Sequence, residues 1–551
     1  MPNGQPQAAQ DDKRATRSAQ PIILIRGFGG LGVEDEKRVA YQGFNDGTVY
    51  HKKRGENYIY EGLVLRFLKS KWTYADATNV VGYYEKKFTW RDADIPSELK
   101  TVIDPTFFSG QQVVIDPGMA LAMLKAKSDI SRTIWVFRYY DLGREDGFEL
   151  YGDMLYRLIQ YIRALAVARG DAAPKVNIIA HSMGGLIARD AIQRAIPKGE
   201  APRLINKVVT LGTPHQGIAF QVLKNWVGLE ASRELERFNP DTQKIDPRIG
   251  FKALKTYFPL ERILTVVGTN FGSYGPYIAS WLNRLSSVPG EFGMNYNRSD
   301  GLVKQAYAQL PGAPRTFVHK CHGGVDSLVT SREAFEIATR FFFGNVKVAL
   351  ILEDADIRSG GDWFGKNEFF FGVSVKPRKV DFDLFHQSEK AENCYGPFDR
   401  RDLKDENPAF GWASNPANER LVWEGWLDTT AVAPGRMTPI TGVPTLDDAT
   451  TMPNDVLIRL DIYVGERDTY GVGHSDTLIF HKQRYARAVL NADGSLETMS
   501  LHLTENTGDA AGATPMEQVH AGDPTQWRFS VGDDKFQATF KIRFAMVPEN
   551  G

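Results

Sequence analysis

Ser182 lies in VNIIAHSMGGLIA (176–188), where an apolar strand gives way to a sharp turn and then to the opening of a helix. Ala180 and Gly184, two residues to either side, are small enough for strand and helix to pack closely. The serine hydroxyl can then be held at a strained, exposed apex. Such a nucleophile elbow becomes reactive once a base takes the hydroxyl proton and an acid orients that base. The string A-x-S-x-G recurs by chance, but a strand before it and a helical pattern after it make this instance specific.

An elbow serine of this kind has its acid and base later in the chain, acid first. Between Ser182 and residue 344 the histidines are His215, His319 and His322. His215, in LGTPHQG, ends an apolar strand over 207–211, one strand too early for the base, and reads as a loop or pocket-wall residue. His319 follows the alternation of a strand over 316–319. His322, in CHGGVDSL, sits on a loop beyond that strand and ahead of the capping pattern TSRE (330–333), so it can swing in over the sheet as the base. Asp300, in NRSDGLV, is the best acid, since it follows a strand over 262–268 and precedes His322. An Asp-Gly pair is also a common turn, but order and spacing favour the acid. Asp326 comes after His322, and Asp246 precedes the strand that should present the acid.

Charge developing on an attacked carbonyl oxygen needs backbone donors. One is the N–H of Met183, the residue after the nucleophile; the other should follow an early strand. PIILIRGFGG (21–30) supplies that strand with a Gly-rich exit, which points to Phe28. Gly27, Gly29 and Gly32 also match the dinucleotide pattern G-x-G-x-x-G. No helix of normal pattern opens there and no acidic residue closes a second strand, so the match is weak.

The elements that must position these groups alternate strand and helix, the signature of a mostly parallel sheet. A strand over 133–139 precedes a helix over 148–169, whose apolar residues fall at helical spacing. The nucleophile strand (176–180), a helix (186–196) and the strands 207–211 and 262–268 follow. The last two are separated by some fifty residues. Amphipathic stretches at 220–229, 250–258 and 277–285 carry aromatics on their apolar side, which suits either a lid over the site or helices packed on the body.

Together, IRGFGG, AHSMGGLIAR, TLGTPHQG, SDGLV and the segment HKCHGG (319–324) resemble the α/β-hydrolase lipases and esterases, above all bacterial triacylglycerol lipases with an A-x-S-x-G elbow. The resemblance covers residues 21–344. It implies Ser182 as nucleophile, Asp300 as acid, His322 as base, Phe28 and Met183 as oxyanion donors, and no cofactor. Arg26 stands where this family usually has a His. Insertions at about 35–128 and 218–260 exceed a minimal lipase, so substrate class does not transfer with the motifs.

The 551 residues exceed one ordinary core, so two or more domains are expected. With 66 basic against 67 acidic residues the net charge is −1, which gives no electrostatic case for nucleic acid. No apolar run is long enough to span a bilayer. Residues 1–20 are polar and lack an apolar signal core, which reads as a disordered tail of a cytoplasmic enzyme, with secretion by another route left open. Cys321 and Cys394, in separate predicted domains, make no disulfide framework. Cys321 beside His322 is a much weaker nucleophile candidate than Ser182.

From 345 to 551 the pattern turns to short strands and hairpins, the mark of a C-terminal all-β sandwich. Glu353, Asp354, Asp356 and Asp362 are expected in a Gly-rich loop between strands. Carboxylates suit Ca²⁺, but their spacing is not diagnostic, and solvated loop acids without a metal are the reading adopted. The expected protein is a serine hydrolase of carboxylic, lipid-like esters, in which the insertion or the sandwich could meet a lipid surface. An acyltransferase using the same triad and a non-catalytic scaffold protein are the alternatives.

Overall fold

A computed structural model describes residues 19–27, 61–137 (except 71–72, 78–79, 83, 85, 112 and 127–128), 139, 147–216, 249–271, 299–323, 326–358, 367–377, 380, 382–388, 391, 393–398, 419–428, 454–468, 476–491, 496–503 and 513–547. The first half is built on seven strands: β1 (Ile22–Ile25), β2 (Ala75–Asp76), β3 (Thr133–Phe137), β4 (Val176–His181), β5 (Ile205–Leu211), β6 (Ile263–Gly268) and β7 (Arg315–Val318). Their order is β7-β6-β5-β4-β1-β3-β2, and every neighbouring pair is parallel. A parallel sheet must be covered on both faces, so its strands read as nearly continuous apolar runs. IILI in β1 and TIWVF in β3 are buried throughout.

Alternate residues of each strand feed two cores. Ile23, Ile25, Trp135, Phe137, Ile178 and Ala180 face one side. There they meet α3 (Gly147–Ala168) and α4 (Gly184–Asp190), introduced after α1 (Glu61–Lys69) and α2 (Pro117–Lys125). Ile22, Leu24, Ile134, Val136 and Ile179 face the other side, against Leu63, Val64 and Phe67 of α1 and the Phe-rich face of α5 (Arg332–Phe343). The Ser331 side chain caps α5 by accepting from the Ala334 N–H at 3.0 Å.

The segment 250–258, one of the amphipathic stretches, forms a 3₁₀ turn over Phe251–Thr256. Leu254 and Phe258 are buried in the body of the domain. The stretches at 220–229 and 277–285 lie outside the described residues. Among the described residues, no helix is long and apolar enough to cross a membrane.

From Val346 onward the chain forms two antiparallel sheets. One has the order β11-β8-β18-β17-β16, from β8 (Val346–Ile357), β11 (Arg420–Leu427), β16 (Glu517–Gln518), β17 (Gln526–Gly532) and β18 (Phe536–Met546). The other has the order β10-β9-β12-β13-β14-β15, from β9 (Asn367–Pro377), β10 (Tyr395–Phe398), β12 (Asn454–Asp468), β13 (Asp476–Leu490), β14 (Leu496–Leu503) and β15 (Thr514–Pro515). Phe371 of β9 stacks on Phe540 of β18 and Phe480 of β13 meets Phe536 of β18, so the inner faces pack as a sandwich.

The acidic group at the start of this domain is corrected by the structure. Glu353, Asp354 and Asp356 belong to strand β8, which runs five residues past Leu352, while Asp362 lies outside the described residues. The Glu353 carboxylate accepts from Arg528 of β17 at 3.1 Å and that of Asp356 from Arg358 at 3.1 Å. Glu353 and Asp356 are thus paired with arginines, and all three acids lie along a strand rather than gathered in a loop. Strand β13 runs unbroken from Asp476 to Leu490, and its polar centre of His481, Lys482 and Gln483 keeps the ladder with β12.

Candidate active site

β4 ends at His181 and α4 begins at Gly184, so Ser182 and Met183 make the whole turn. Ser182 has φ +52°, a left-handed conformation rare for a residue with a side chain. Three contacts hold it there. The Ser182 N–H donates to Leu211 O of β5 at 2.9 Å, and its carbonyl accepts from the Gly185 N–H at 3.1 Å. On the other side, a Cβ at Gly184 would collide with the Arg26 carbonyl oxygen and stand 2.8 Å from that of Ile25. Only glycine lets the start of α4 come this close to the end of β1, so the strain at Ser182 is locked in by its neighbours.

Asp300 and His322 are delivered from beyond the carboxyl ends of β6 and β7. The Ser182 hydroxyl donates to His322 Nε2 at 2.9 Å, and His322 Nδ1–H donates to Asp300 Oδ2 at 2.8 Å. The second carboxylate oxygen, Oδ1, accepts from the backbone N–H groups of Leu302 at 3.0 Å and Val303 at 2.8 Å. Every oxygen of a fully buried carboxylate is therefore satisfied, as a buried charge requires. Gly212, at φ +58°, and Gly268 form the floor beneath Asp300; a Cβ on either would come within 2.8 Å of it.

Met183 caps α4, and its N–H has no acceptor among the described residues, which leaves it available to an oxyanion. Phe28, expected as the second donor, lies outside the described residues. Arg26, immediately before that loop, is buried, and its guanidinium donates to the Tyr139 carbonyl at 3.3 Å.

The other candidates fall elsewhere. His215 is fully buried, with its ring 3.0 Å from Thr210 Oγ1 and its carbonyl accepting from Arg189 at 2.6 Å. Burial first, then the Arg189 charge, hold its pKa well below the usual imidazole value, so it is a neutral structural ring. His319 follows β7 and pairs with Thr269 Oγ1 at 3.1 Å. Asp326 is an exposed ion-pair partner of Lys320 at 2.8 Å, and Asp246 lies outside the described residues. Burial pushes the Cys321 thiol up to about 12, and the thiol donates to the Asp326 carbonyl at 3.0 Å. It is not a thiolate at neutral pH.

Sequence reading passed over His181, whose ring touches His322, and Arg189, which ties α4 to both His215 O and Ile249 O. His181 was legible only as the x of A-x-S-x-G, and Arg189 only as one residue on a helix. A cavity of about 800 Å³ lined by Tyr257, Phe258, Leu260 and Gly312 opens where β6 and β7 begin, at the opposite end of the sheet from Ser182. In parallel α/β sheets the reactive end is the carboxyl end of the strands. Ser182, Asp300 and His322 sit there and that cavity does not.

A model of the PGAP1-like alpha/beta domain matches residues 146–247, which include Ser182. The triacylglycerol lipases of Pseudarthrobacter phenanthrenivorans and Burkholderia plantarii are each 41 % identical over 64 residues, 12 % of this chain. The match spans only 18 % and 16 % of those lipases' own length. Among solved structures, the mature lipase of Bacillus licheniformis is 17 % identical with a TM-score of 0.28, covering 58 % of this chain and 90 % of that one. Phospholipase PlaB from Legionella pneumophila, in complex with thio-NAD, is 8 % identical with a TM-score of 0.32, covering 90 % of this chain and all of that one.

Proposed function

We propose that the first domain is an α/β-hydrolase of the lipase and esterase type that hydrolyses carboxylic esters through an acyl-serine intermediate. The observation that carries the reading is the continuous hydrogen-bonded line from Ser182 Oγ through His322 to Asp300, anchored on a serine held at positive φ. As Ser182 Oγ attacks the ester carbonyl carbon, its proton passes to His322 Nε2, and the imidazolium is stabilised by the Asp300 carboxylate. The carbonyl oxygen takes the negative charge and is held by the Met183 N–H and a second donor, which we assign to Phe28.

Collapse of that tetrahedral species expels the alcohol, which leaves with the proton from His322. A water then gives its proton to His322 and attacks the acyl carbon, releasing the acid and restoring Ser182. Acyl esters of lipid type are favoured, because 64 residues of this chain are 41 % identical to triacylglycerol lipases. The insertion or the sandwich would meet the lipid surface.

Hydrolysis of p-nitrophenyl esters from acetate to palmitate, by wild type and Ser182→Ala, tests the proposal. It predicts turnover in the wild type, loss of that turnover in the variant, and a preference for medium or long chains. Undiminished turnover by pure Ser182→Ala overturns it.

A further inference from the structure

Beside the triad stands a second imidazole with no part in the proton transfers described above. His181 closes β4, and its buried ring is 4.9 Å from that of His322 at an angle of 42°. Its Nε2 lies 2.9 Å from the His322 carbonyl oxygen. A carbonyl only accepts, so Nε2 carries a proton. Burial, and then the neighbouring His322, hold the pKa of His181 well below the imidazole value of 6.5, so the ring is neutral and its one proton sits on Nε2. On its other side the ring abuts the exit of β1, for a Cβ at Gly27 would stand 2.8 Å from Nδ1.

We propose that His181 is a positioning residue that grips the main chain of the base and fixes the height of His322 over Ser182. This rests on the triad reading above. His322 is bracketed by two bonds, its own N–H donating to Asp300 O at 2.9 Å and its carbonyl accepting from His181. With both sides of its main chain fixed, the ring starts from a fixed point, and its Nδ1 bond to Asp300 Oδ2 sets its orientation. His181 belongs to a strand hydrogen-bonded to β1 on one side and β5 on the other, so the base loop inherits the rigidity of the central sheet. Because His181 and Ser182 are consecutive, clamp and nucleophile ride on one strand end, and their separation cannot drift.

Three variants test this by kinetics on a p-nitrophenyl ester, with thermal unfolding measured beside them. His181→Ala removes the donor, His181→Gln places an amide nitrogen about where Nε2 lies, and His181→Asn keeps an amide that stops short. The role predicts that His181→Ala lowers kcat roughly 10- to 100-fold, as a misplaced catalytic group does, with little change in KM. It also predicts that His181→Gln recovers most of the loss and exceeds His181→Asn, which still decides the matter if the alanine variant does not fold. Equal activity in Gln and Asn, a change confined to KM, or wild-type kcat in a folded His181→Ala each overturns it. With Ser182→Ala inactive, any of these sinks the positioning role alone; activity surviving in Ser182→Ala removes the triad and this role together.

Discussion

Asp300 and His322 are joined twice: His322 Nδ1 donates to Asp300 Oδ2 at 2.8 Å, and the His322 backbone N–H donates to the Asp300 carbonyl at 2.9 Å. The remaining carboxylate oxygen is held by the Leu302 and Val303 N–H groups. In Asp300→Asn the amide oxygen will take that doubly donated place and turn the NH₂ toward His322. Nδ1 must then accept, the ring proton moves to Nε2, and the base can no longer receive a proton from Ser182. We expect kcat to fall about 10³- to 10⁴-fold with the unfolding temperature nearly unchanged. Steady-state kinetics and calorimetry on the same preparation check both halves.

Gly212 tests the floor of the site. Alanine there must adopt φ +58° and would bring its Cβ to 2.8 Å from Asp300 Oδ2 and 3.1 Å from His322 Nδ1. The left-handed backbone alone costs about 1–2 kcal/mol. Gly212→Ala should lower the unfolding midpoint and reduce kcat at least about tenfold, a larger loss than mild destabilisation explains. An active, unshifted variant would contradict the geometry.

His181 and His215 are both buried with pKa values well below 6.5. In the unfolded chain each binds a proton near its ordinary value, so below pH 6.5 the unfolded state holds more protons than the native one. Their contribution to stability is therefore complete above that pH and declines as pH falls, by about 1.4 kcal/mol per pH unit for each ring. Urea unfolding at pH 5, 6, 7 and 8 should show the decline, and His215→Gln should remove roughly half of the part these two rings supply.

The sandwich is bound into the first domain rather than merely tethered to it. Trp426 of β11 packs edge-on against Phe341 of α5, with ring centroids 4.6 Å apart. Thr316 Oγ1 of β7 donates to Leu384 O at 2.7 Å, and the His386 N–H donates to Phe317 O at 3.2 Å. Those last bonds lie along β7, the outermost strand of the central sheet. Trp426→Ala should cost roughly 3 kcal/mol and lower the thermal stability of the proposed esterase activity itself. Two calorimetric transitions, with activity following only the unaffected one, would contradict this coupling.

Cys321 gives a negative control beside His322. Its thiol is buried, hydrogen-bonded and pushed up to about 12. Cys321→Ser should keep the wild-type order of kcat, and the native protein should react with Ellman's reagent far more slowly at pH 8 than the unfolded one.

How much of this was legible in the sequence depends on whether the determinant is local. The elbow was readable because strand, small residues and helix are contiguous around Ser182. Asp300 and His322, which the structure brings into hydrogen-bonded contact with Ser182, could be picked out because they follow it in order along the chain. Strand β11, RLVWEGWL, was missed: its burial runs through consecutive residues without the alternation that marks a half-buried strand. Strand β8 was read short because Glu353 and Asp354 resemble a loop until their cross-strand partners are known. The grip of His181 on His322, 141 positions apart, depends on how β4 and the base loop meet in space, and no periodicity records it.

The most direct measurement is the intact mass and peptide map of the protein after exposure to a p-nitrophenyl alkylphosphonate. If Ser182 is the nucleophile, one equivalent adds, the modified peptide contains Ser182, esterase activity falls in step with labelling, and Ser182→Ala takes up none. Stoichiometric labelling at another residue, or esterase activity that persists after Ser182 is fully modified, would contradict the account.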